Sequence, residues 1–225
     1  MLEKLLDAFT ASPAIESAWV RGSLARNEYD RASDVDLVLV VDDAVLPTVL
    51  MSLDDLLKQY FSVLLPGWHD SIVPDFGGAG FVYLTLFQGC VVQIDLYVLP
   101  VSRKERITLI PRLQNIFLST DRNRPAPTPS DISSASIALS SLWGRKKNLN
   151  SQITELFILS NLIKKRIGRG QRFLNYSETQ LLFSCVRDIV RLVFDPCSWT
   201  TVGIILKRTF AAIPWRGNGS FASRD

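Results

Sequence analysis

The chain has 225 residues, 47% of them hydrophobic and 21% charged, with 25 Lys and Arg against 22 Asp and Glu. That is enough for one large domain or two small ones, and the composition excludes a disordered or collagen-like polymer. The charge is unevenly divided: residues 1–125 carry a net −5 and residues 126–225 a net +8, with Pro125, Pro127 and Pro129 at the join. A linker is expected there, separating an acidic from a basic half.

The first ten residues include Glu3 and Asp7 and lack a basic segment followed by an apolar one, so no secretory leader is expected. Leu2, Leu5, Leu6 and Phe9 share one helical stripe, and Ile15 to Val20 reads as a strand feeding Gly22 and Ser23. Asp34 to Val41 is a near-continuous apolar run behind its acids, the pattern of a buried strand. Pro47 can start a helix whose apolar positions run at three-to-four spacing from Val49 to Leu64. Phe81–Phe87 and Cys90–Leu99 are extended runs joined at Gln88 and Gly89, an antiparallel hairpin. The uncharged stretch Phe76 to Ile94 holds four glycines and two glutamines, and so reads as that hairpin in water and not as a membrane span. The order predicts an α/β layer with a mixed sheet.

The basic half reads as helices only. Asp131 caps one beginning at Ile132, Ser151 caps one running to about Ile167 before Gly168 and Gly170, and a third runs from Ser177 towards Pro196. Leu156, Phe157 and Phe183 are expected in its core, and Trp215 to Asp225 as a frayed tail. Three cysteines, Cys90, Cys185 and Cys197, at no metal-type spacing, point to a reduced, cytoplasmic setting. With His69 the single histidine, and expected as a loop or packing residue beside Trp68, any catalysis is expected to run on carboxylates.

Gly22 and Ser23 end a strand, ten residues intervene, and Asp34 and Asp36 open the next, two apart and therefore on one face. Side-by-side carboxylates repel, and a divalent cation between them relieves the repulsion. Asp95 is a third acid, isolated in the apolar strand Val91 to Leu99, where parity gives it the face of Val91, Gln93 and Tyr97. An Asp-x-Asp pair alone is common on solvated surfaces, as Asp42 and Asp43 illustrate at a strand end. The Gly-Ser turn, the spaced pair and the later lone acid together form a much more specific set.

These segments, Arg21 to Arg26 and Ser33 to Leu37 above all, resemble the DNA polymerase β-like nucleotidyltransferase superfamily, most closely its small bacterial antibiotic-modifying and minimal members. Asn27 departs from them, since many small members have Gly after the Arg. The resemblance implies a mixed-sheet nucleotidyltransferase domain over residues 1–125 and an all-α helical-bundle domain over 126–225. It implies Asp34, Asp36 and Asp95 as catalytic residues and ligands of two Mg²⁺ ions, with Gly22, Ser23, Arg26 and Ser33 at the nucleotide. The expected partners are a nucleoside triphosphate, ATP first, and a small-molecule hydroxyl such as that of an aminoglycoside or lincosamide. No membrane or nucleic-acid partner is expected, and a homodimer is left open. An antitoxin-type enzyme that modifies a protein and a non-catalytic nucleotide-binding module are the alternatives. The triphosphate needs protein cations, for which Arg145, Lys146, Lys147, Lys164, Lys165 and Arg166 are candidates, with Arg21 and Arg26 competing. The two halves are expected to face each other across the site. Glu28, Asp30, Asp70 and Asp75 could line a pocket for a cationic acceptor.

Overall fold

Two parallel strands, β2 (Val35–Val41) and β5 (Cys90–Pro100), form the centre of a six-stranded mixed sheet in the order β3-β4-β5-β2-β1-β6. The computed structural model describes residues 1–30, 33–70, 76–109, 113–119, 125–143 and 148–194. Asp75, Arg145, Lys146, Lys147, Cys197 and the segment Trp215–Asp225 lie outside the described residues.

The remaining strands are β1 (Ile15–Val20), β3 (Ser62–His69), β4 (Ala79–Phe87) and β6 (Gln114–Leu118). The helices are α1 (Leu2–Thr10), α2 (Gly22–Ala25), α3 (Leu46–Tyr60), α4 (Pro129–Trp143), α5 (Leu149–Gly168) and α6 (Arg172–Phe194), and Val101–Leu109 adds 3-10 turns. The architecture is thus a mixed-sheet α/β domain followed by a helical region. Among the described residues no helix is long and apolar enough to cross a membrane.

The period-two alternation of β2 divides the core. Leu37, Leu39 and Val41 join Leu5 and Phe9 of α1, Leu53 and Leu57 of α3, and Ala135, Leu139 and Leu142 of α4 in one apolar cluster. Helix α4, beyond the proline stretch in sequence, therefore joins the core of the sheet domain, beside α3. Val38 and Val40 point the other way, towards Tyr97, Leu99 and Ile107. On that second face Trp68, Val82 and Leu84 pack against Ile158 of α5.

Several elements depart from the sequence reading. Helix α3 stops at Tyr60, and Leu64, Trp68 and His69 belong to β3, not to a helix or a loop. Pro66 and Gly67 argue against a strand, but β3 is an edge strand whose pairing with β4 is irregular between Leu65 and Trp68, where a missing N–H costs little. Gly67 is required there because a Cβ would stand 2.5 Å from the Tyr83 ring and hydroxyl. His69 does pack, against Phe81.

Asp131 and Ser151 are the third residues of their helices and not the caps. Thr128 and Asn148 cap α4 and α5, exchanging hydrogen bonds with Asp131 and Ser151 respectively. Helix α6 begins at Arg172, ahead of Ser177. Phe157 and Phe183, expected in the core, are 53% and 64% exposed; on α5, the helix of Phe157, the inward residues include Gln152, Thr154, Glu155, Ile158 and Leu159 instead. Cys185 is buried, with its thiol on the Gln152 carbonyl at 3.2 Å, and Cys90 is exposed.

Candidate active site

Parallel pairing of β2 with β5 places Asp36 directly opposite Asp95. The two carboxylates share one rung of adjacent strands on the face opposite the large apolar cluster, flanked along β5 by Gln93 and Tyr97 as parity predicts. Asp34 stands two residues before Asp36, immediately ahead of the strand.

The turn after β1 closes over this pair. The Arg21 amide donates to the Asp36 carbonyl at 3.1 Å, and Gly22 follows at φ +65° with its α-carbon against the Asp36 side chain. A Cβ there would lie 2.3 Å from Asp36 Oδ2, so glycine is needed for both conformation and space. Arg21 lies 3.4 Å from Asp36 through Nε and stacks over Tyr97, its guanidinium carbon 4.5 Å from the ring centroid.

Helix α5 supplies the opposite wall. Asn161, Lys165 and Arg169 recur every four residues on one stripe. Asn161 donates to Gln93 Oε1 at 3.2 Å; Lys165 donates to the same oxygen at 3.1 Å and ion-pairs with Asp34; Arg169 grips Asp30 at 2.7 Å and Ser33 at 3.3 Å. Gln93 passes the network on, donating to Asp95 Oδ1 at 2.8 Å. The basic half thus meets the acidic half at the carboxylates.

Burial, reinforced by the negative charges of Asp34 and Asp36, pushes the Asp95 carboxyl up to about 8, against the pull of the Gln93 hydrogen bond and Lys165. Asp36 is also raised, again by burial first, with Arg21 opposing and Asp34 adding to the shift. Both acids therefore hold a proton more tightly than a solvated carboxylate does. Among the described residues no three His, Cys, Asp or Glu side chains converge as a ready-made metal cage. The donor chemistry nevertheless fits a hard divalent cation: three carboxylates with raised proton affinity at two of them, and an ammonium group on the third as a stand-in cation.

Of the other expected residues, Ser23 is the second residue of α2, directly after Gly22, and Ser33 exchanges hydrogen bonds with Asp30. Arg26 is engaged by Glu28 at 2.6 Å, while its charge still reaches Asp36, and Arg166 is engaged by Glu178 and Gln171. Glu28 and Asp30 are thereby spent on Arg26 and Arg169 and do not form an open acidic pocket. Asp70 is buried beside Gly80. The sequence reading missed Gln93, Asn161 and Arg169 as members of the network; the four-residue polar stripe continuing from Ile158 and Leu162 was the available signal. A concavity of about 570 Å³ lies on the other face, lined by Asp54, Gly67, Tyr83 and Leu142, and includes none of the three acids.

Residues 2–77 match the nucleotidyltransferase domain family. This segment is a nucleotidyltransferase domain. It contains Gly22, Ser23, Asp34 and Asp36 and stops short of Asp95, whose place beside Asp36 comes from strand register. The nucleotidyltransferase so defined accords with the polymerase β-like resemblance of its turn and acids. A crystal structure described as a "putative nucleotidyltransferase" from Sulfolobus solfataricus is similar at 15% identity and a TM-score of 0.30, over 53% of this chain and 78% of that one. No curated protein matches the chain.

Proposed function

We propose that this nucleotidyltransferase moves a nucleoside monophosphate, AMP first, from a triphosphate to a hydroxyl of a small molecule such as an aminoglycoside or lincosamide, in the cytoplasm. The acceptor oxygen bonds to the α-phosphorus, the bond to the β-phosphate oxygen breaks, and pyrophosphate leaves. The observation that carries the reading is the Asp36–Asp95 cross-strand pair, with Asp34 beside it, directly against the Gly22–Ser23 turn.

Asp34, Asp36 and Asp95 would hold Mg²⁺, which when bound offsets charge on the attacking and leaving oxygens. Gly22 lets the phosphates come close to the backbone, and Ser23 offers an amide and a hydroxyl to them. Lys165 and Arg21 are the protein cations already at the carboxylates, and so the nearest to a triphosphate seated there. Asp95, beside Asp36 across the strand pair, accepts the proton of the acceptor hydroxyl. Gln93 orients its carboxylate.

Incubation with Mg²⁺, each of the four nucleoside triphosphates and a panel of hydroxylated antibiotics, read by mass spectrometry and pyrophosphate release, tests the reading. The expected product is an acceptor heavier by one nucleoside monophosphate, absent with Asp36→Asn. Failure of every triphosphate to release pyrophosphate across the panel would count against it.

A further inference from the structure

Lys165 is a lysine only 9% exposed, and both partners of its ammonium group belong to the candidate active site: the Asp34 carboxylate and Gln93 Oε1. A cation so buried needs compensation, and here the compensation comes from the carboxylates that themselves need a cation. The charge is felt beyond Asp34, since Lys165 lowers the proton affinity of both Asp36 and Asp95. Its backbone is fixed from below: Ile158 of α5 packs on Trp68, Val82 and Leu84, with Leu162 at the edge of that cluster. One turn away on either side, Asn161 and Arg169 tie the same helix face to Gln93 and Asp30. The helix is held, and a lysine side chain is by nature a flexible four-carbon stem.

We propose that Lys165 is the resident counter-cation of the carboxylates, holding Asp34 in the nucleotide-free protein and giving it up when a divalent cation arrives. This rests on the metal-dependent reading above and deepens it. Two cations cannot share the Asp34 carboxylate at contact distance without strong repulsion, so Lys165 and the divalent cation compete. The triphosphate resolves the competition by giving the displaced ammonium group a second anionic partner. Cation binding and triphosphate binding are therefore positively coupled through this one side chain, and the free protein takes up divalent cation weakly.

The test is Mn²⁺ binding to the nucleotide-free protein, followed by the electron paramagnetic resonance of unbound Mn²⁺, for the wild type, Lys165→Gln and Lys165→Arg. Lys165→Gln keeps a hydrogen-bond donor but no charge, and is expected to bind Mn²⁺ about tenfold more tightly than the wild type. Its metal-free melting temperature is expected to fall and to recover when Mn²⁺ is added. Lys165→Arg keeps the charge and is expected to bind as weakly as the wild type. It also keeps the test decisive if the neutral variant does not fold, because tight Mn²⁺ binding by the arginine variant contradicts the proposal. Equal Mn²⁺ affinity in all three proteins, or weaker binding by Lys165→Gln, overturns the counter-cation role and leaves the metal reading standing. No Mn²⁺ binding by any of them overturns both.

Discussion

One face of the sheet buries Leu5, Phe9, Leu37, Leu39, Leu53 and Leu57 among side chains that need only be apolar and of the right volume, while the other carries Asp36, Gln93, Asp95 and Tyr97 beneath α5. The same two strands supply both faces, alternating residue by residue. The first face gains free energy by burial, about 25 cal/mol per Å² of apolar surface. On the second, burial is unfavourable for two of the acids, which keep raised proton affinities even with Lys165 and Arg21 close by. One strand pair can thus spend stability on its chemical face because its other face supplies it.

The largest effect expected from breaking this contrast is on turnover. Asp36→Asn should lower nucleotidyl transfer by about three orders of magnitude or more, with the circular dichroism spectrum unchanged, because the substitution removes a ligand charge and no packing. Its neighbour Leu37, fully buried on the apolar face, gives the reverse. Leu37→Ala should cost about 2–5 kcal/mol of stability in a denaturant titration, while activity per folded molecule stays near that of the wild type.

The pH dependence sharpens the comparison. Because the folded state raises the Asp95 carboxyl to about 8 from an ordinary value near 4, the folded chain holds more protons than the unfolded chain between those limits. The contribution of Asp95 is therefore fully present below about pH 4 and is lost as pH rises through about 8. Metal-free Asp95→Asn should accordingly melt higher than the wild type at pH 8, with the gap closing at pH 4 to 5. A gap that is constant with pH would remove the assignment of that slope to Asp95. The smallest effect belongs to the wall that carries Lys165. Asn148→Ala, which removes the cap of α5, should cost about 1 kcal/mol by thermal denaturation and leave the apolar face untouched.

Local rules determined the acidic half well. Alternation, turn chemistry and helical stripes are short-range properties, and they gave α1, β1, β2, α3 and the β4–β5 hairpin, together with the Gly22–Ser23 turn and the common face of Gln93, Asp95 and Tyr97. They misjudged β3, since whether Pro66 and Gly67 can be tolerated in a strand depends on that strand lying at the edge of the sheet. They shifted the caps of α4 and α5 by three residues because a capping box is reciprocal and both of its members look like caps. They also put Phe157 and Phe183 inside, since a helix with apolar residues on several sides has its buried side chosen by what it packs against. Tertiary structure alone decided that Asp36 and Asp95, 59 positions apart, are cross-strand neighbours. It alone picked Lys165 from three consecutive basic residues. A charge finds its partner through space, and the helical rotation that turns Lys165 to the carboxylates leaves Lys164 exposed and turns Arg166 to Glu178.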